Sequence, residues 1–127
     1  MIVRNFEELK PSGRYAEKSG VWSSARYLLK EDGVGFTLTQ TTLAAGQSLE
    51  LEYKNHIEAN LVIEGEAVLT ELSSGTKYRL LPGSMYALDE HDRHHMQAIT
   101  DMRIVCVFTP ALTGNETHDE DGSYPLL

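Results

Sequence analysis

The sequence predicts an all-β fold, either a small barrel or a double-sheet jelly roll, with at most short helical turns. Three observations carry that prediction. Short apolar or alternating runs recur along most of the chain. Compact turn sequences separate them at close, fairly regular spacing. Beyond one short N-terminal segment, no good helix is visible.

In chain order, Asn5 before FEEL is placed to cap a single helical turn, with Glu7 and Glu8 near its positive end. RYLL, GFTLTQTTL, LELEYK, ANLVIEG, AVLTEL, KYRLLPG and MRIVCVF then read as strands. The breaks are EDG at 31–33, AAG at 44–46, EG at 64–65, SSG at 73–75 and PG at 82–83. No repeat, low-complexity tract or linker divides the 127 residues, so one domain is expected over 1–127. Alternate side chains of barrel strands line an interior, and a pocket is expected there.

Composition excludes several function classes. Hydrophobic residues make up 41%, which sets aside disordered and fibrous chains. No apolar run approaches the roughly 20 residues of a membrane span. MIVRNFEELK lacks the apolar region of a secretory signal, so a cytoplasmic location is expected. The single cysteine, Cys106, forbids an internal disulfide and fits a reducing compartment. A formal charge of −8 argues against a nucleic-acid partner.

Three of the five histidines fall within YALDEHDRHH, residues 86–95. Residues 89–93 read as a polar turn, so Tyr86 ends one strand and His94 opens the next. His94, Met96 and Ala98 then share one face, and His95, Gln97 and Ile99 the other. His94 is the best pocket candidate of the three. His91 reads as a solvated turn residue, and His95 as lying outside the barrel or at an interface. In NHIEA, residues 55–59, a strand would turn His56 and Glu58 to one face, a plausible ligand pair or a polar strand end. MRIVCVF would put Met102, Ile104, Cys106 and Phe108 on one face. Cys106 reads as a small buried residue, because no base or source of a depressed pKa is visible beside it. The polar tail carries Glu116 and His118, two acid–base groups at i, i+2 spacing, and ends in SYPLL, which could dock over a pocket mouth.

Taken together, these segments resemble ectoine synthases, small enzymes of the cupin superfamily. The resemblance runs over MIVRNFEEL, the W-x-S-x-R of VWSSARYLL, DGVGFTLTQTT, EYKNHIEA, IEGEA, LPGSMYALDEHDRH, DMRIVCVF and LTGNETHDEDGSYPLL. It implies a cupin double-stranded β-barrel, with residues 110–127 as a C-terminal lid over the barrel mouth. It implies Fe(2+) held by Glu58, Tyr86 and His94, and leaves out His56, His91 and His95. Carboxylate, phenolate and imidazole together suit iron. It further implies a substrate pocket of Trp22, Ser24, Arg26, Thr41, Tyr53, Cys106, Phe108, Glu116 and His118. The implied reaction is the dehydrating ring closure of N4-acetyl-L-2,4-diaminobutyrate to ectoine, by a homodimer, with the metal as Lewis acid toward the acetamide. Arg26 would pair with the substrate carboxylate and Glu116 with its amine.

The chain departs from the family pattern at Ala25, Asn60, Leu61, Ala67, His95, Met96, Gln97 and Thr109. None of these is a proposed ligand. They leave open a related enzyme acting on another N-acyl amino acid, including by hydrolysis, and a non-catalytic cupin that binds a small zwitterion. An iron oxygenase is a further alternative, although the ligand set is not the two-histidine, one-carboxylate triad of that class.

Overall fold

The computed structural model describes residues 1–120 and 122–127. Among them, two antiparallel sheets face each other. The larger holds β1 (Tyr15–Lys18), β2 (Trp22–Leu28), β3 (Thr37–Leu43), β10 (Met102–Thr109), β5 (Ile57–Glu64) and β8 (Met85–Leu88), in that spatial order. The smaller holds β4 (Ser48–Leu51), β9 (His94–Ala98), β6 (Ala67–Glu71) and β7 (Thr76–Leu80). This is the expected all-β double-sheet barrel.

Period-two burial sets the inward faces. On β10, Met102, Ile104, Cys106 and Phe108 are buried while their neighbours are not. On β9 the buried positions are His94, Met96 and Ala98, and on β5 they are Glu58, Asn60 and Val62. Leu43, Ala67, Leu69 and Leu80 fill the rest of the space between the sheets. Each fully buried aliphatic side chain contributes about 1.5–3 kcal/mol. Toward the cavity end the same inward faces carry polar groups, and these form the site.

The helical elements are minor. Asn5 caps α1 (Phe6–Leu9), its Oδ1 accepting from the Glu8 N–H at 3.2 Å. Single 3₁₀ turns follow at Lys10–Ser12 and Lys30–Asp32. Asp32 ties these segments together. Its carboxylate accepts from Arg14 Nη1 at 2.9 Å, the Leu29 N–H at 2.9 Å and Arg4 Nη2 at 2.7 Å. The Arg14 hydrogen bond, aided by Leu29 and Arg4, outweighs burial and holds the Asp32 pKa well below its ordinary value. The resulting stability is present in full above 3.8 and is lost progressively as pH falls toward the depressed folded value. Asp32→Asn is expected to cost about 2 kcal/mol in urea unfolding at pH 7, with the difference shrinking below about pH 4.

Three local details differ from the sequence reading. β1 was not anticipated, because YAEK is short and half-exposed and carries no apolar alternation. β8 continues to Leu88, so Tyr86 lies within a strand rather than at its end. β5 begins at Ile57, so His56 stands outside the ladder that was expected to set its direction.

Candidate active site

Partners in an antiparallel ladder point to the same face, so inward residues of the large sheet form rows across it. One row runs Arg26, Thr39, Cys106, Asn60, Tyr86 over β2, β3, β10, β5 and β8. Four strand spacings separate its ends, about 19 Å. A neighbouring row carries Ser24, Thr41 and Ile104, and the row on the other side carries Phe108 and Glu58. From the small sheet, β9 presents His94 and Met96 to these rows.

Between the sheets lies a cavity of about 520 Å³. Trp22, Ser24, Arg26 and Thr41 line it from β2 and β3, and Tyr53 from the segment after β4. Glu58, Tyr86, His94, Cys106 and Phe108 line it from β5, β8, β9 and β10, and Glu116 and His118 from the tail. Every pocket residue implied by the resemblance therefore reaches one space. Arg26 is the only lysine or arginine among the described lining residues, and Glu58 and Glu116 are the only carboxylates.

The two carboxylates differ sharply. Glu58 is buried, and its one hydrogen bond among the described residues comes from Asn60 Nδ2 to Oε1 at 3.0 Å. Burial pushes its pKa up to about 7, against the smaller opposite effect of Asn60. Glu116 is wrapped by its own loop. The Thr113 N–H donates to Oε2 at 2.7 Å, and Thr113 Oγ1 and the Gly114 N–H donate to Oε1 at 2.8 and 2.9 Å. Burial raises its pKa, but these donors together outweigh burial and leave it below the ordinary value. Glu116 is thus a fixed anion.

His94 directs Nδ1 to the Asp92 carbonyl at 3.0 Å. That bond sets the tautomer with the proton on Nδ1 and leaves the Nε2 lone pair for a ligand. Burial lowers its pKa, partly offset by Asp92. The Tyr86 hydroxyl has only a 3.8 Å contact to Met96 Sδ, and burial followed by Glu58 raises its pKa. Glu58 and His94 are buried and Tyr86 is half-buried, no lysine or arginine among the described residues pairs with them, and the three fit a metal that accepts oxygen and nitrogen ligands. The tyrosine is essential to that set, because no three His, Cys, Asp or Glu side chains among the described residues group to hold a metal.

Cys106 is buried beside Thr41 Oγ1, 3.7 Å away, and burial followed by Glu58 pushes its pKa up to about 12. The thiol stays protonated and serves as cavity wall. His118 Nε2 lies 3.0 Å from the Tyr53 hydroxyl, and burial lowers its pKa against an opposite effect of Asp119. It is a neutral imidazole at pH 7.

The tail docks through SYPLL as its composition suggested. Ser123 is fully buried; its Oγ donates to the Glu52 carbonyl and accepts from the Lys54 N–H at 3.0 Å. Asn55 Nδ2 donates to the Tyr124 carbonyl at 2.8 Å. The Tyr124 ring stacks on His118 with centroids 4.2 Å apart and packs on Tyr53 at 5.2 Å. Tyr124 lines the cavity and was not singled out as a site residue; its place in the apolar end of a docking tail was the available signal.

His56 and Glu58 do not share the cavity. His56 is buried against a separate cleft with Glu116 and Leu127, because it precedes the β5 ladder. His91 is exposed but does more than face solvent: its backbone takes φ +56°, and its Nδ1 donates to the Tyr53 carbonyl at 2.7 Å. His95 is half-buried and points away from the interior, as read.

The sequence profile of ectoine synthase matches residues 1–127. The chain belongs to the ectoine synthase family. It is therefore an enzyme, a hydro-lyase. The L-ectoine synthase of Sphingopyxis alaskensis is 49% identical over 98% of this chain and 90% of its own length. The crystal structure of ectoine synthase from P. lautus superposes with a TM-score of 0.87 at 46% identity, covering 100% of this chain and 91% of that one. An RmlC-like cupin from Shewanella frigidimarina, 15% identical over 85% of this chain and 89% of its own, has a TM-score of 0.69 and identifies the barrel as a cupin fold. No helix among the described residues is long and apolar enough to cross a membrane.

Proposed function

We propose that this chain cyclises N4-acetyl-L-2,4-diaminobutyrate to ectoine with loss of water, using ferrous iron held by Glu58, Tyr86 and His94. The observation that carries the substrate is the charge layout of the cavity: one guanidinium, Arg26, and one fixed carboxylate, Glu116, within a space of about 520 Å³. An amino acid in its zwitterionic form needs that pairing. Arg26 engages the α-carboxylate and Glu116 faces the α-ammonium. Ser24 Oγ accepts from Arg26 Nε at 3.1 Å, which leaves the terminal nitrogens for the ligand.

The rest follows from what the reaction demands. The α-amine must reach the acetamide carbon, and the apolar walls of Trp22 and Phe108 fold the chain toward that geometry. Neutral His118, in the tautomer whose Nε2–H donates to the Tyr53 hydroxyl oxygen, accepts on Nδ1 the proton that frees the amine. Attack forms the new C–N bond and a tetrahedral carbon; loss of the oxygen completes the cyclic amidinium. Two of the three ammonium protons leave with that oxygen as water, so no net proton is released. When bound, the metal supplies Lewis-acid polarisation of the acetamide. Residues 110–127 form the lid that excludes water during these steps. The same reading has the enzyme in the cytoplasm as a homodimer, in which two copies pair and cover sheet edges such as β1 or β8.

The test is anaerobic incubation with ferrous iron and the substrate, followed by mass spectrometry and proton NMR. Loss of one water and appearance of the amidine is the expected result. Release of acetate and diaminobutyrate would assign a hydrolase instead. Saturable binding with the substrate intact would assign a zwitterion-binding protein, and oxygen uptake in air would assign an oxygenase.

A further inference from the structure

We propose that Asn60 is a positioning residue for the Glu58 carboxylate, fixing Oε1 so that Oε2 is held ready for a metal in the cavity. The inference rests on the reading of Glu58 as a ligand and adds a residue which that reading does not contain. Glu58 and Asn60 are 6% and 2% exposed, and both line the cavity. They sit two apart on β5, so their side chains leave the same face of a strand hydrogen-bonded on both edges. Asn60 Nδ2 donates to Oε1 at 3.0 Å. No other hydrogen bond from the described residues reaches this carboxylate, and Arg26, the only Arg or Lys among the described lining residues, starts from β2, three strands from β5.

The chemistry of the pair is specific. A glutamate carboxylate turns about three bonds, and in an apolar space nothing else would hold it. A lysine or arginine at position 60 would hold it too, but would bring a positive charge that repels a metal ion. A carboxamide supplies an N–H donor with no net charge. Outer partners of this kind orient a ligand, and their loss typically weakens metal affinity about 10- to 100-fold. Asn60 also lies in the ladder between Cys106 and Tyr86, so its backbone is fixed by the strands that carry the site.

The experiment is titration of metal-free protein with cobalt(II), followed by visible absorption, for wild type, Asn60→Leu, Asn60→Val and Glu58→Gln. Leucine keeps the branched shape of asparagine without its donor, and valine is the second choice if leucine overpacks. The expected result is about 10- to 100-fold weaker cobalt binding and altered absorption bands in both Asn60 variants, with a melting temperature of the metal-free protein equal to or above that of wild type. Wild-type affinity and an unchanged spectrum in both folded variants, or tighter binding, would overturn the inference while leaving the metal site intact. No cobalt binding by wild type, or undiminished binding by Glu58→Gln, would overturn the ligand reading and this inference together.

Discussion

Glu58→Gln is expected to abolish turnover, by a factor on the order of 10³ or more, while making the metal-free protein more stable by about 3 kcal/mol at pH 8. The two effects have one origin. Glu58 is a buried carboxylate with one neutral hydrogen-bond donor and no cationic partner among the described residues. Such a group is poorly matched to a barrel interior of neutral groups and well matched to a metal ion. Glutamine fills the same volume and still accepts from Asn60, but it offers no charge to a cation.

The pH dependence separates this account from a packing effect. A carboxyl whose folded pKa is raised stabilises the fold most when protonated. Its contribution is complete below the ordinary value of 4.5 and is lost as pH rises through the folded value of about 7. Above that, the ionised form remains buried and the whole penalty stands. Urea unfolding of metal-free wild type and Glu58→Gln at several pH values should therefore give curves that meet near pH 4 and diverge up to pH 8, with the variant higher. Asp32 has the opposite sign and is common to both proteins, so it cancels in the difference. Ferrous or cobalt ion should close the gap by stabilising wild type alone. Parallel curves at all pH values would show that Glu58 is paired in solution and would remove the physical case for its role.

The part of this site that was legible in the sequence is the part governed by strand period. Once MRIVCVF reads as a strand, Cys106 and Phe108 must face inward together, and they do. The same reasoning selects His94 over His95, because adjacent residues on β9 take opposite faces. Spacing marked Glu58 only as half of a pair with His56; Tyr86 as a ligand, and the set of three, came from the family resemblance, since a lone tyrosine in a strand carries no local signal for its partners. Where the period failed, the ladder had ended. His56 is two residues from Glu58, but it lies before the first residue of β5, and its side chain goes to a different cleft. The Asn60–Glu58 bond was illegible for another reason: spacing places both on one face but does not say that the carboxylate has no other hydrogen-bond partner among the described residues.

Gly122→Ala is expected to lower kcat/KM about 10- to 100-fold with little change in the melting of the barrel. Gly122 has φ +76°, and a Cβ there would lie 2.9 Å from Leu51 Cα and 3.0 Å from the Glu50 carbonyl oxygen. Both are backbone atoms of β4 and cannot turn aside as a side chain would. The left-handed backbone alone disfavours alanine by about 1–2 kcal/mol, and the contact adds to it. Against this stand a few hydrogen bonds of Ser123 and Tyr124, each worth about 1 kcal/mol. The tail should lift, taking with it the ring that stacks on His118, while the core between the sheets is untouched. Gly75→Ala is the matched control, because it has φ +75° but open space around the new methyl and lies in the β6–β7 turn. Faster cleavage at Glu116 or Glu120 by a glutamate-specific protease would report the lifting directly, and activity should fall in step with it. Full activity in a variant whose tail is readily cleaved would show that residues 110–127 cover the cavity without serving the reaction, and that His118 needs no stacked tyrosine to act.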